Sequence, residues 1–237
     1  MNLRFLFPQA TNMTRDDART AIALLAAIIL TTVHRQACGV DTLAQLSFLD
    51  SETARAWTYH SCTMLLFGLV PLALIFLFWK SQPISRFGVT IGDWKFGLAA
   101  VGILLPVIAV VLLLPAAELP DMQAVYPVDH TASRSVADFL PYAIGRILLF
   151  YVAWEFFFRG FLLFSLRETL GDIPALLVSV MPSVLWHIGY PTGELYSSIV
   201  GGIMFAWLAL RTGSILWPLL LHAGIGMVTD ISISLAL

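Results

Sequence analysis

Long apolar runs separated by short polar connections constrain the fold of this chain more than any other feature. Residues 57–79 form such a run, with Trp57 and Trp79 at its two ends and Lys80 directly after it. As an α-helix, a run of this length spans the ~30 Å hydrocarbon core of a bilayer. Tryptophan at both ends suits the two membrane–water interfaces. The sequence therefore predicts a membrane-spanning helix here.

Six further runs have the same character, and together they predict an all-α polytopic membrane helix bundle of about seven transmembrane helices. The composition agrees, because 59% of the 237 residues are hydrophobic and 12% are charged, whereas soluble domains carry about 25% charged residues. A net charge of -2 gives no basic surplus, so the expected partner is the lipid bilayer and no nucleic acid. The predicted spans are 20–33, 57–79, 96–114, 139–165, 175–187, 196–210 and 214–231.

The polar connections predict the organisation and orientation of the chain. We expect a polar N-terminal lead at 1–19, N-terminal transmembrane helices at 20–134 and a core carrying the polar motifs at 135–237. The connection 115–138 is expected to be an exposed loop, because it is long, polar and rich in proline. Lys and Arg residues favour cytoplasmic connections and predict the N-terminus inside. The inner side then holds Arg4, Arg15, Arg19, Lys80, Arg86, Lys95, Arg167 and Arg211, and the outer side Arg35, Arg55 and Arg134.

A charged pair lies inside the fourth run. Glu155 and Arg159 are four residues apart among aromatic and aliphatic side chains, so they lie on one face of a helix and can pair. A charge inside a membrane is costly and usually marks a functional site. An ion pair that only holds helices together is the alternative.

Two histidines in later runs, His187 and His222, are candidate partners of this pair. Helices joined by a tight turn run antiparallel, so depth can be counted from the turns. Glu155 precedes Gly171 by 16 residues and His187 follows Asp172 by 15, which places both about 23 Å from that turn. His222 follows Gly213 by nine residues, or about 13 Å, and becomes level only if the last hairpin is displaced or tilted.

This order of motifs resembles the CPBP family, which contains the type II CAAX prenyl endopeptidases (Rce1-like, also called Abi proteins). The resemblance rests on Glu155-x-x-x-Arg159-Gly160, on His187 near the end of the next helix, and on His222 after the segment Ile215 to Leu219. It covers roughly residues 138–229 and implies an intramembrane metalloprotease-like protein of a bacterial inner membrane. The implied catalytic residues are Glu155, Arg159, His187 and His222.

The chain also departs from the family pattern at three positions. The family has two adjacent glutamates, of which the first stands at Trp154 here, and an asparagine at the position of Gly226. The family's aromatic residue four before the first histidine is Ser183. The resemblance implies that a glutamate and His187 activate a water while His222 stabilises the oxyanion. The cofactor stays open, because Glu155, His187 and His222 are also a possible zinc ligand set.

Two functions from different classes follow. The first is an endopeptidase that hydrolyses peptide bonds of membrane-associated peptide or protein substrates, with Glu155 as base or metal ligand and Arg159 as its orienting partner. The second is a catalytically inert membrane scaffold or bacteriocin-immunity-type protein that retains the fold, for which Trp154 and Gly226 are the motivation.

Overall fold

The computed structural model describes residues 14–236, and within them seven helices cross the molecule. Six are long and apolar enough to span a membrane, and the seventh, α5, is a shorter apolar helix of 15 residues. No strand occurs in the described part of the chain. The predicted all-α bundle of about seven helices is confirmed. The helices are α1 (Arg15–Cys38), α2 (Glu52–Phe78), α3 (Trp94–Ala116), α4 (Val136–Leu170), α5 (Asp172–Trp186), α6 (Thr192–Thr212) and α7 (Leu216–Ala236).

The first helix starts within the predicted polar lead. Thr14 caps it by accepting a hydrogen bond from the backbone of Asp17, whose side chain accepts from the backbone of Thr14 in return. This reciprocal capping satisfies two free amides and fixes the start at Arg15. Arg4 and the rest of 1–13 lie outside the described residues. The domain boundaries at 19 and 134 stay predictions.

Helix α4 is the centre of the bundle. In its most apolar stretch 78% of the residues are buried, against 6% for α3, which therefore lies at the periphery. At 35 residues α4 is longer than the predicted span 139–165. Two stretches, Arg146–Tyr151 and Phe156–Leu162, are π-helical. A π-turn holds more residues than an α-turn, so the turns of α4 are wider there than a count at 100° per residue assumes.

Close packing of small residues brings α5 and α6 together. A Cβ added at Gly202 of α6 would lie 2.8 Å from Val180 of α5, which is too close for two carbon atoms. Ser198, Gly202 and Ala206 recur at four-residue spacing along α6, and this stripe of small residues includes a close contact between helices. The phenylalanines of α4 fill the core beside it, with Phe157, Phe158 and Phe161 fully buried.

The connection between α3 and α4 packs on the bundle, so the prediction of an exposed loop is wrong for much of it. Met122, Tyr126 and Asp129 are buried. The loop is anchored where the backbone amide of His130 donates to Glu52 at the start of α2. Polar groups of the loop form hydrogen bonds with one another, so a segment rich in polar residues can still be buried against the bundle. The α1–α2 and α5–α6 connections lie at this same end of the bundle, and with the predicted orientation that end faces outward.

Candidate functional site

The predicted pair of α4 forms, and it has a third member. Arg159 donates from Nη1 to Oε1 of Glu155 at 3.1 Å, and Nδ1 of His222 donates to the same oxygen at 2.6 Å. Glu155 is 0% exposed and Arg159 3%. In such a setting a carboxylate is stable only when it is paired. Glu155 therefore fixes the ring of His222, with Nδ1 as the protonated nitrogen and Nε2 left for a water or a substrate.

The displacement of the last hairpin explains why His222 reaches this depth. A Cβ added at Gly160 would lie 3.6 Å from Ile215 and 3.0 Å from the carbonyl oxygen of Phe87. The α6–α7 turn is thus level with Gly160, eleven residues before the α4–α5 turn at Gly171. The amide of Ile215 donates to the carbonyl of Gly88, so the α2–α3 connection holds the turn there. Because the two turns lie at different depths, a count from the α6–α7 turn alone underestimates the distance of His222 from the α4–α5 turn.

His187 lies at the end of α5 and contacts a different carboxylate. Its Nδ1 donates to the carbonyl of Ser183 at 2.6 Å, which leaves Nε2 as the acceptor nitrogen of a neutral ring. Nε2 lies 3.7 Å from Oε1 of Glu194. In the described structure no hydrogen bond joins His187 to Glu155.

Glu194 is a functional candidate that the sequence reasoning missed. It lies in the first turn of α6, where the positive end of the helix dipole favours a carboxylate. Tyr126 donates to its Oε1 at 2.7 Å, while its Oε2 is buried without a hydrogen-bond partner within the described residues. One signal was available, because Glu194 is the only acidic residue between Asp172 and Asp230.

Both histidines and Glu194 line one cavity inside the bundle. Its volume is about 50 Å³, which is room for a few water molecules because one water needs roughly 10–15 Å³ on this measure. The walls are mostly aromatic and come from five helices and two connections. The lining residues are Tyr59, Tyr126, Val128, Arg146, Phe150, Tyr151, Trp154, Trp186, His187, Tyr190, Glu194 and His222.

Arg146 and Asp230 form a buried ion pair at the edge of this cavity. Tyr142 donates to Asp230 at 3.2 Å and accepts from Arg146 at 2.9 Å. Counting at 100° per residue places Arg146 away from the face of Arg159, and accordingly Arg146 lines the cavity whereas Arg159 is not among its lining residues. Asp230 lies near the end of α7 and is nevertheless 0% exposed.

Two departures from the family pattern have structural explanations. Trp154 packs between the two histidines, with ring centroids 6.0 Å from His187 and 6.5 Å from His222. A Cβ at Gly226 would lie 1.6 Å from the hydroxyl oxygen of Tyr151. The position of the family asparagine is therefore filled by the phenol of Tyr151, which also packs edge-on against His222 at 4.9 Å.

This contact gives a stability prediction. Gly226→Ala is expected to cost about 1–3 kcal/mol, the usual cost of overpacking a core, because the added methyl displaces Tyr151. Combining it with Tyr151→Ala should cost less than the sum of the two single changes. Thermal unfolding in detergent measures all three variants. Additive costs would show that residue 226 and Tyr151 do not compete for space.

The described residues do not fit the zinc alternative. Within 14–236, no group of three His, Cys, Asp or Glu side chains is arranged to hold a metal ion. Glu155 and His222 contact each other directly, and Oε1 of Glu155 also accepts from Arg159, so Glu155, His187 and His222 do not converge on one point as three ligands of an ion would.

A comparison with protein families now identifies this part of the chain. Residues 136–228, the segment from α4 into α7, match the family model of the type II CAAX prenyl endopeptidase Rce1-like proteins. The predicted resemblance is confirmed there. The match includes Glu155, Arg159, His187, Glu194 and His222. Searches of curated proteins and of solved structures find no match.

Proposed function

We propose that this protein is an intramembrane endopeptidase of the CAAX prenyl protease type, which hydrolyses peptide bonds of membrane-associated substrates. The observation that carries the proposal is the convergence of His187 and His222 on one water-sized cavity inside a membrane bundle. The Rce1-like match supports it. On the same resemblance we propose a bacterial inner membrane as its location.

Hydrolysis of an amide needs a base for water and donors for the oxyanion. In this proposal His187 contacts the water through its unprotonated Nε2. His222, held as an imidazolium by the carboxylate of Glu155, donates from Nε2 to the carbonyl oxygen that becomes negative. Glu155 is a positioning residue that sets the tautomer of His222 and favours its cationic form as charge develops. Arg159 holds Glu155 in place.

The test is cleavage of a fluorogenic prenylated peptide with a CAAX C-terminus by the full chain in proteoliposomes. The variants His187→Ala, His222→Ala and Glu155→Gln are each expected to lower kcat at least 10²-fold, because each removes a group from the proton-transfer or oxyanion machinery. Glu118→Gln, at an exposed carboxylate of the α3–α4 connection, is the matched control and should cleave normally. Normal cleavage by all three site variants would contradict the proposal.

An inert scaffold or immunity-type protein is the second candidate, and a specific observation favours it. Trp154 fills space between the histidines where the family pattern has a glutamate, and the remaining cavity of about 50 Å³ has no room for a peptide without movement. Trp154→Glu discriminates between the two functions. Cleavage that appears only in this variant would make the natural protein the inert one. Adding Gly226→Asn is a poor test, because Tyr151 occupies that space.

A further inference from the structure

We infer that Glu194, together with His187, holds and deprotonates the attacking water, so that this chain carries its base carboxylate on α6 instead of α4. This inference rests on the proposed function and deepens it. Glu194 is the carboxylate that lines the cavity, whereas Glu155 is not among the lining residues. Glu155 is already occupied by Arg159 and His222 through Oε1.

The positions of His187 and Glu194 indicate that a hydrogen-bond donor lies between them. Because Nδ1 gives its proton to the carbonyl of Ser183, Nε2 of the neutral ring has only a lone pair to present. It faces Oε1 of Glu194 across 3.7 Å, which is beyond hydrogen-bond range. Two acceptors at this separation are satisfied by one water that donates a proton to each. The cavity has the room and the polar groups that such a water requires.

The unpartnered oxygen of Glu194 supports the same assignment. Oε1 accepts from Tyr126, which fixes the orientation of the carboxylate. Oε2 is buried, lacks a hydrogen-bond partner among the described residues and belongs to a cavity-lining side chain. A buried acceptor left unsatisfied costs about 1–3 kcal/mol. It is therefore expected to accept from water in the cavity, as a base poised for proton transfer would.

The reaction balances with water as the only co-reactant. Glu194 takes one proton from the water, whose oxygen forms a bond to the peptide carbonyl carbon while the carbonyl π electrons move to its oxygen. The C–N bond then breaks as the oxyanion collapses. The proton held by Glu194 passes to the leaving nitrogen, which gives a new carboxyl terminus and an amine.

Trp154 stands at the position where the family has its first glutamate, so in this chain the base carboxylate has to come from another helix. The indole is 2% exposed and stacks with Phe150 at 5.3 Å, so no charge can enter from this position of α4. Glu194 reaches the same cavity from the opposite wall, beside His187. Tyr126 of the α3–α4 connection covers it from the end of the bundle.

The experiment compares Glu194→Gln with wild type and with Glu118→Gln in the proteoliposome assay. Glu194→Gln is expected to lower kcat by 10²–10⁴-fold, the usual contribution of a general base, with little change in KM. Glu194→Asp keeps a carboxylate and should recover part of kcat, whereas a merely structural role would not distinguish Asp from Gln in this way. Wild-type cleavage with kcat unchanged in Glu194→Gln would overturn the inference and leave the proposed function intact.

A second readout does not depend on turnover. The ¹⁵N resonance of His187 Nε2 should move in Glu194→Gln, because the carboxylate that shares its water is lost. The other charged or titratable groups that influence His187 are His222, Arg159 and Arg35, and these are unchanged in the variant. A shift in a wild type that fails to cleave the peptide would support the shared water of Glu194 and His187 but would overturn both the proposed function and the base role of Glu194. An unmoved resonance overturns the inference.

Discussion

Asp230→Leu is expected to lower the free energy of unfolding by about 3–5 kcal/mol, the cost of breaking a buried ion pair by removing one partner. Arg146, which is 5% exposed, would become a charge without a counter-ion inside the membrane. The hydroxyl of Tyr142, which donates to Asp230, would lose its acceptor as well. Unfolding in mixed detergent micelles, followed by circular dichroism, measures the loss.

The double variant Arg146→Met with Asp230→Leu separates charge from packing. Replacing both partners of a buried pair by apolar residues is often neutral or stabilising, so the double variant should be far more stable than Asp230→Leu alone. Glu118→Gln is the control for a change of charge at the surface. Wild-type stability in Asp230→Leu would show that the pair is not buried as described.

Arg159→Met is expected to have the second large effect, again about 3–5 kcal/mol, and to abolish cleavage as well. Glu155 would keep only His222 as a partner for a charge that is 0% exposed. The free energy then falls unless Glu155 binds a proton, and a protonated Glu155 no longer favours the cationic form of His222. Stability in micelles and kcat in proteoliposomes should therefore fall together.

The chain offers a matched control for this variant on the same helix. Arg167 pairs with Asp172 at 2.9 Å, with side-chain exposures of 35% and 55%. Exposed pairs contribute about 0–1 kcal/mol, so Arg167→Met should change stability by no more than that and leave cleavage unchanged. Equal losses in Arg159→Met and Arg167→Met would contradict the buried role of the Glu155–Arg159 pair.

Local patterns were enough to predict the helices and the Glu155–Arg159 pair. Hydropathy defines a span because each helix satisfies its own backbone hydrogen bonds in lipid. The i,i+4 spacing holds within one helix, and the pair forms although the π-helical stretch begins just after Glu155. These features depend on the sequence near each residue and need no knowledge of how helices are arranged.

Contacts between distant segments could not be predicted in the same way. His222 contacts Glu155 because the α2–α3 connection holds the α6–α7 turn level with a point eleven residues before the α4–α5 turn. This difference in depth between the two turns cannot be predicted from either hairpin alone. Tyr126 reaches Glu194 from a connection whose polar composition predicted exposure. Arg146 pairs with Asp230 of α7, a partner that no pattern within α4 indicates.

The role of the departures from the family pattern also emerges only in three dimensions. In the sequence, Trp154 and Gly226 replace a glutamate and an asparagine of the family pattern, so two polar side chains are missing. In the structure, Glu194 provides a carboxylate beside His187, and the phenol of Tyr151 fills the space at Gly226. The cavity therefore has the two histidines of the family pattern, together with a carboxylate and a hydroxyl that come from other positions.

Cleavage in ¹⁸O-labelled water shows whether this cavity activates a water to hydrolyse a peptide bond. The full chain in proteoliposomes is incubated with the prenylated peptide, and the products are weighed by mass spectrometry. We expect one ¹⁸O atom in the new carboxyl terminus with wild type and with Glu118→Gln. We expect no product with His222→Ala. An intact peptide with wild type, or the same labelled product with His222→Ala, would contradict these expectations.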